Sequence, residues 1–332
     1  MKKSERRPYI ILGLVAGFWI LLFPYFYEDF LSKFFYMPFL GVIAATVANT
    51  TPAAAGIVYF PILTRLHVTP AAAVQFNLII QAYGMGLGTF KWFLVNKKLF
   101  IFNVIPVCLI GGCAGITTSI VFFPIKNPEM LTLVFNFIAF LFTQIIFFSI
   151  LFKRSYPQLG IELNVRNTLI LVFFSFLGGM ISGWIGFGID TMFYFILTVI
   201  FKINPAIAIV TSISLMAAVS LMGTILNVII NEVPLSLWYS AIPGVTIAGL
   251  FLASYLAMKL GAKNVLILFT FLLSIDFFVT LWTQRAIPMS QTVRMMTTYV
   301  LVAYLVMIHV KVFKQSYKEI GPALGEFKPD SS

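Results

Sequence analysis

The feature that most constrains this chain is its series of long, nearly continuous apolar runs. They lie at roughly 9–27, 34–64, 70–95, 99–124, 130–152, 168–201, 205–230, 234–258, 264–283 and 292–310. A helix needs about 20 apolar residues to cross the hydrocarbon core of a bilayer. A membrane-spanning strand would instead alternate over about ten residues, and these runs do not. Composition agrees, with 60% hydrophobic residues and 10% charged, against about 25% charged in a soluble domain. So little polar surface excludes a soluble enzyme, and a chain this apolar is neither disordered nor fibrous. The first run is long for a signal-peptide core and lacks a small-x-small cleavage site, so it reads as an uncleaved helix. The fold class expected is an all-α polytopic membrane protein.

Two runs are too long for one crossing. The stretch 34–64 is interrupted by Ala48-Asn-Thr-Thr-Pro52, and the stretch 168–201 by Gly183-Trp-Ile-Gly-Phe-Gly-Ile-Asp190. Each is either one tilted helix with a break or a re-entrant hairpin of two short helices. The breaks belong to an internal repeat. A shift of 135 residues, without a gap, lays Pro70 on Pro205, Tyr59-Phe60 on Tyr194-Phe195, Ala71 and Ala73 on Ala206 and Ala208, and Gly88-Thr89 on Gly223-Thr224. Paired interrupted helices in two halves point to the binding site of a secondary transporter.

Charge placement favours hairpins. The net charge is +11, from 22 Lys+Arg and 11 Asp+Glu. Cytoplasmic loops collect Lys and Arg, which explains the excess without nucleic acid. With a cytoplasmic N-terminus and two hairpins, 17 basic residues fall inside and 5 outside; with two full crossings the split is 13 to 9. In the hairpin reading Lys97, Lys98, Arg166 and Lys202 are inside, and Lys33, Arg65 and Lys126 outside. Each repeat is then a hairpin plus three spans. Because three is odd, the second repeat enters the membrane inverted. The expectation is about eight transmembrane helices plus two interrupted or re-entrant segments, arranged as two inverted repeats. The chain divides into an N-terminal end and extra helix (1–33), a first repeat (34–152), a cytoplasmic linker (153–167), a second repeat (168–283), an extra C-terminal helix (284–310) and a cytoplasmic tail (311–332). Both termini are placed in the cytoplasm, and the protein in the cytoplasmic (inner) membrane.

Interrupting a helix within a bilayer frees backbone N–H and C=O groups, which must face protein or a watery cavity. The N-terminus of the helix after a break offers N–H groups and a positive dipole to an anion or a polar head. Gly186 and Gly188 would let a solute approach the backbone. Asn49, Thr50 and Thr51 would add side-chain donors in the other half, and Pro52 suits the first turn of the following helix. In the helix after the first hairpin, Gln75, Asn77 and Gln81 are candidates, with Asn77, Gln81, Gly84 and Gly88 on one face. In the second, Thr211 and Ser212 occupy the equivalent turns. Asn49, Thr50, Thr51, Gln75, Asn77, Gln81, Gly186, Gly188, Thr211 and Ser212 are the candidate substrate-binding residues, although such side chains also tie membrane helices together, and Gly84-x-x-x-Gly88 is a close-packing pattern.

Asp190 and Asp276 are the only acids well inside apolar runs. An acid at mid-membrane costs about 2.5–3.5 kcal/mol on insertion scales, so its function is the default question. Asp190, beside the glycine break, is a candidate for proton coupling or for holding a cationic substrate group. Asp276 reads either way, functional or a buried structural partner. Arg65, His67 and Lys202 follow the hairpins, either to draw in anions or as loop charges obeying topology. Cys108 and Cys113 point in different directions on one helix and read as small apolar residues. No His/Cys/Asp/Glu set has metal-ligand spacing, and neither a Walker loop nor a paired acidic motif is present. Neither cofactor nor metal is expected, and an enzyme is not.

Gly183-Trp-Ile-Gly-Phe-Gly188 followed by Pro205-Ala-Ile-Ala-Ile-Val-Thr-Ser212 resembles the sulfite exporter TauE/SafE family of membrane transporters. That family has a glycine-rich segment and then a Pro-x-x-Ala-x-x-Thr-Ser pattern. Val68-Thr-Pro-Ala-Ala-Ala-Val74 and Gly88-Thr89 take the same roles in the first half, and the likeness covers roughly 37–283. Asn49-Thr-Thr-Pro-Ala-Ala-Ala55 stands where the family has its first glycine-rich segment. The resemblance implies a permease for a small anion such as sulfite or an organosulfonate. Together with the paired breaks, it suggests alternating access across the bilayer with proton coupling at Asp190. The rival reading is a non-transporting assembly or sensor protein on a transporter-like fold.

Overall fold

The computed structural model describes residues 3–151, residues 158–253 and isolated positions from there to 311. The described residues form α1 (Lys3–Asp29), α2 (Met37–Thr50), α3 (Gly56–Arg65), α4 (Pro70–Val95), α5 (Val104–Thr117), α6 (Pro128–Leu151), α7 (Val165–Ile185), α8 (Ile189–Phe195), α9 (Pro205–Ile230) and α10 (Leu235–Ile247). Wider π-turns extend α1, α5, α8 and α10. Among the described residues, six helices are long and apolar enough to cross a membrane: α1, α4, α5, α7, α9 and α10, with α1, α5 and α10 counted together with their π-turns. Asp276, and most of the last two apolar runs, lie outside the described residues.

The helices begin and end where local chemistry dictates. Pro70 and Pro205 open α4 and α9, where a missing N–H costs nothing. Thr69 caps α4 by accepting from the Ala72 N–H at 3.3 Å, and Asn204 caps α9 by accepting from the Ala206 N–H at 2.9 Å. Both helices end at an asparagine in extended conformation, Asn96 and Asn231. His67 and Lys202 are the non-glycine residues with positive φ among those described, at 64° and 51°. Each of these pairs is separated by 135 residues. The repeat written thinly in identities is therefore written clearly in backbone punctuation.

Packing respects the same relation. The dominant helix contacts pair α5 with α7, α2 with α10 and α4 with α9. Exchanging the halves swaps the first two pairs and leaves the third unchanged. Leu78 lies over Gly223, while just past the far end of α4 the Ile101 N–H donates to Thr211 Oγ1 at 3.2 Å. The equivalent helices α4 and α9 thus run antiparallel. The α5–α7 contact depends on small residues: a Cβ on Gly111, Gly115 or Gly179 would run into the facing backbone. Close backbone approach of this kind is how membrane helices gain packing without a hydrophobic drive.

The second interrupted run folds back on itself. The Ile189 N–H donates to Ser182 Oγ at 2.9 Å, and Ile189 Cα lies against Gly178. In a straight helix Gly178 and Ile189 would be about 16 Å apart. The chain before α7 and the loop after α8 also meet: the Gln158 N–H donates to the Lys202 carbonyl at 3.4 Å and the Asn204 N–H to the Gln158 carbonyl at 3.1 Å. Asn103 Nδ2 reaches the Ile161 carbonyl at 2.8 Å. Lys97, Lys98, Arg166 and Lys202 therefore gather at one end of the bundle. The first interrupted run also doubles back: Ala45 and Ala48 of one arm and Ala55 and Tyr59 of the other line one cavity. Straight continuation would separate Ala45 from Tyr59 by about 21 Å.

Candidate functional site

The two hairpin tips meet. Thr191 Oγ1 of α8 donates to the Pro52 carbonyl in the first tip at 2.7 Å. Gly56, at the start of α3, faces both Asn77 and the Phe187 ring of the second tip. Helix α6 clamps the pair from the side, with Phe135 stacked on Phe60 at 3.8 Å and edge-on to Phe187 at 5.2 Å between ring centres.

Each tip is closed by different chemistry. In the first, Thr51 is extended (φ −134°, ψ 165°). Its hydroxyl donates to the Val47 carbonyl at 2.9 Å and accepts from the Ala53 N–H at 3.1 Å. Thr50 Oγ1 bonds back to the Thr46 carbonyl at 2.8 Å. Both hydroxyls are thus used within the tip. In the second, Gly186 and Gly188 have φ of 79° and 143°, values that an L side chain resists. Gly186 ends α7 in the left-handed form, its N–H on the Ser182 carbonyl at 2.8 Å. Ser182 then caps the returning helix α8 through its hydroxyl.

Between the first hairpin, α4 and α10 lies a small cavity with room for about one water molecule. The first hairpin contributes Ala45, Ala48, Asn49, Ala55 and Tyr59; α4 contributes Ile80, Gln81, Gly84 and Met85, and Val245 closes it. Its polar side chains are fully buried and incompletely partnered. Gln81 Nε2 donates to the Gly186 carbonyl at 2.6 Å and to the Asn77 carbonyl at 2.9 Å, which leaves Oε1 without a partner. Asn49 Nδ2 donates to the Ala45 carbonyl at 2.8 Å and reaches the Gly84 carbonyl at 3.4 Å, and its Oδ1, against Gly88, is unpartnered. Tyr59 OH and both amide atoms of Asn77 are unpartnered too. Buried polar atoms without partners are uncommon and call for an explanation.

Of the residues the sequence singles out, Asn49, Asn77, Gln81 and Gly186 come together here, with Thr50, Thr51 and Gly188 in the tip backbones. Gly84 and Gly88 serve close packing, against Val245 and Asn49 respectively. Gln75 is half-buried one position off this face. Thr211 joins α9 to the chain beyond α4, between Ile101 and Leu99, and Ser212 bonds its own helix at the Ile209 carbonyl. Tyr59, Ser182 and Thr191 belong to the site and are absent from the sequence-derived set. Tyr59 carried a signal, its recurrence as Tyr194 in the repeat. Ser182 and Thr191 carried none, since only the fold-back brings them to their partners.

Asp190 lies in the first turn of α8, fully buried, and neither carboxyl oxygen has a hydrogen-bond partner of good geometry. The described residues place no lysine, arginine or histidine on the cavity wall. The second tip thus carries its own acidic group where a helix start would otherwise attract an anion.

Six long apolar helices and two folded-back interrupted helices whose tips touch make this a multi-pass membrane protein with a buried polar centre. A family model described as Sulfite exporter TauE/SafE matches residues 37–278. That match begins at the first residue of α2 and includes both hairpins. No curated protein and no solved structure matches the chain. On the extent of that family match, the chain belongs to the sulfite exporter TauE/SafE family of membrane transporters.

Proposed function

We propose that the protein is a secondary transporter that carries a small sulfur-containing oxyanion, of the sulfite or organosulfonate type, across the cytoplasmic membrane by alternating access. One observation carries this reading: buried, unpartnered polar atoms of Asn49, Tyr59, Asn77 and Gln81 where the two hairpin tips converge. A closed cavity with room for about one water must open for any solute, and opening toward alternate faces is natural for two antiparallel halves hinged at their tips. In this reading 34–152 and 168–283 are inverted transport repeats and both tips are re-entrant. The whole chain has eight spans, with both termini in the cytoplasm. The gathering of Lys97, Lys98, Arg166 and Lys202 at one end of the bundle supports that topology through the positive-inside bias. Asp190, fully buried in the second tip with neither carboxyl oxygen partnered, is the group that couples transport to protons.

Purified protein in proteoliposomes tests the function by uptake of labelled sulfite and alkylsulfonates, with and without an inward proton gradient. Saturable uptake is expected. Absence of uptake and of binding for every such solute favours a non-transporting assembly or sensor role instead. Topology is tested separately by labelling single cysteines at Arg65 and Lys202. Arg65→Cys is expected to react from outside and Lys202→Cys from inside; the reverse pattern breaks the hairpin assignment.

A further inference from the structure

The cavity between the first hairpin, α4 and α10 is walled by hydrogen-bond acceptors. Gln81 Nε2 sits on two backbone carbonyls, of Gly186 and Asn77, and Asn49 Nδ2 on two more, of Ala45 and Gly84. Turning either amide over would set oxygen against carbonyl oxygen, so chemistry fixes both orientations. Each lining amide keeps only its oxygen, Gln81 Oε1 or Asn49 Oδ1, and neither has a partner among the described residues. The third polar lining residue, Tyr59, has an unpartnered hydroxyl, whose oxygen can also accept. All three side chains are at most 1% exposed, so bulk solvent does not satisfy them.

The backbone has the same sign. Ala48 and Asn49, both on the cavity wall, stand in the last turn of α2, the negative end of a helix. In a continued helix the Ala48 carbonyl would accept from the residue four further on, but that residue is Pro52, which has no N–H. The returning arm supplies no donors. The Ile57 N–H is bonded to the Ala54 carbonyl at 3.2 Å, and those of Val58 and Tyr59 to the Ala55 carbonyl at 3.0 Å. Among the described residues, neither an acid nor a lysine, arginine or histidine lines the cavity.

We infer that this cavity binds a monovalent cation of sodium's size, with Gln81 Oε1, Asn49 Oδ1, the Tyr59 oxygen and the Ala48 carbonyl as its ligands. One cation satisfies several acceptors at once, whereas a bare oxyanion, itself only an acceptor, gains nothing from them. Divalent ions draw on carboxylates, which this wall lacks. Room for about one water suits a small ion. Interrupted membrane helices offer coupling ions this kind of site, made from freed carbonyls and a half-helix C-terminus. The role of the ion rests on the transporter reading: an oxyanion in a low-dielectric centre needs a counter-charge. The bound cation supplies the positive centre that no lining side chain provides.

The test is thermal melting of the purified full chain in choline, sodium and potassium chloride at equal ionic strength. Sodium is expected to raise the melting temperature over choline by roughly 2–4 °C, saturating with concentration, and potassium by less. Tyr59→Phe removes one ligand oxygen and should raise the half-saturating sodium concentration about tenfold. Gln81→Met, which installs the residue found at the equivalent position 216, should abolish the shift. If Gln81→Met does not fold, Tyr59→Phe decides. Tyr194→Phe, away from the cavity wall, should keep the shift. Equal melting in all three salts overturns the inference and leaves a water molecule as the donor to these oxygens. A sodium shift that Tyr59→Phe leaves unchanged overturns it too, because the ion then binds elsewhere. Uptake of labelled sulfite into proteoliposomes, in sodium against choline, keeps the two readings apart. A fall of about tenfold in choline supports the counter-charge role, and equal uptake overturns that role while leaving the transporter intact. A sodium shift lost in Tyr59→Phe, without uptake of any solute, upholds the cation site and removes the transporter.

Discussion

The two hairpin tips perform the same fold-back with opposite means. The first tip, Thr51–Ala55, has no glycine and turns on a threonine hydroxyl that bonds two backbone groups. The second, Gly186–Gly188, turns on two positive-φ glycines and a serine cap. The surroundings diverge as well. Moving four polar-centre residues by 135 positions replaces Asn49 by Trp184, Asn77 by Ser212, Gln81 by Met216 and Gly84 by Val219. The same shift turns Ala55 into Asp190. The amides therefore sit in the first half and the carboxyl in the second. The same backbone punctuation thus carries different side chains in the two halves, and the proposed division between solute recognition and proton coupling rests on that difference.

The largest expected effect comes from forcing one tip to use the other's chemistry. Gly186→Val places a branched side chain at φ 79°, within 3.0 Å of the Val74 carbonyl and against Asn77. It should cost roughly 2–4 kcal/mol and lower the melting temperature of the purified protein sharply. Thr51→Ala, at the equivalent position, removes two hydroxyl bonds from an ordinary extended backbone and should cost about 1 kcal/mol. Equal losses at the two positions would show that the tips are not built differently.

A second pair compares the equivalent glycines of α4 and α9. A Cβ on Gly88 falls on Asn49 Oδ1, whose amide is anchored to two carbonyls; a Cβ on Gly223 meets only the ends of Ile116 and Leu78. Gly88→Ala is expected to destabilise by roughly 2–3 kcal/mol and to abolish solute binding. Gly223→Ala should cost about 1 kcal/mol and spare binding. Calorimetric titration and thermal melts on the same samples separate the two effects.

Asp190→Asn probes the division of labour. Stability should change by no more than about 1 kcal/mol, since no partner is lost, while proton-gradient-driven uptake disappears and exchange of solute across the membrane persists. Uptake that still follows the gradient would move the coupling group elsewhere. The smallest effect belongs to Tyr59→Phe. Its hydroxyl has no partner among the described residues, so the fold should be unchanged within about 1 kcal/mol, with solute affinity reduced several-fold. The same change at Tyr194, which does not line the cavity, should leave affinity alone.

Much of the architecture was legible because it follows from solvent and local geometry. Apolar run lengths marked the helices, Pro70 and Pro205 marked their starts, and the two breaks stood out because a bilayer forbids unpaired backbone. The shift of 135 residues aligned the halves before any contact was known. Basic residues favoured hairpins over full crossings; the chain does fold back at Gly186–Gly188, while the side of the membrane on which each tip enters remains part of the proposal. Site residues were harder. Asn49, Asn77 and Gln81 were visible as polar groups in apolar runs. Thr211 and Ser212 looked equally suitable, yet their hydroxyls serve the α9 backbone and the Leu99–Ile101 segment. Tyr59 was hidden among aromatic residues that mostly pack.

The sequence by itself determined that this chain lives in a bilayer and where its two over-long apolar runs are interrupted. Those facts depend on hydrophobicity and backbone chemistry, which act residue by residue. Only the tertiary structure decided that the equivalent helices α4 and α9 run antiparallel and that the tips touch through Thr191 and Pro52. It also decided which end of each amide remains available. An amide offers a donor and an acceptor with equal readiness in the sequence. Which one is left for a solute depends on which backbone carbonyls the fold brings to its nitrogen.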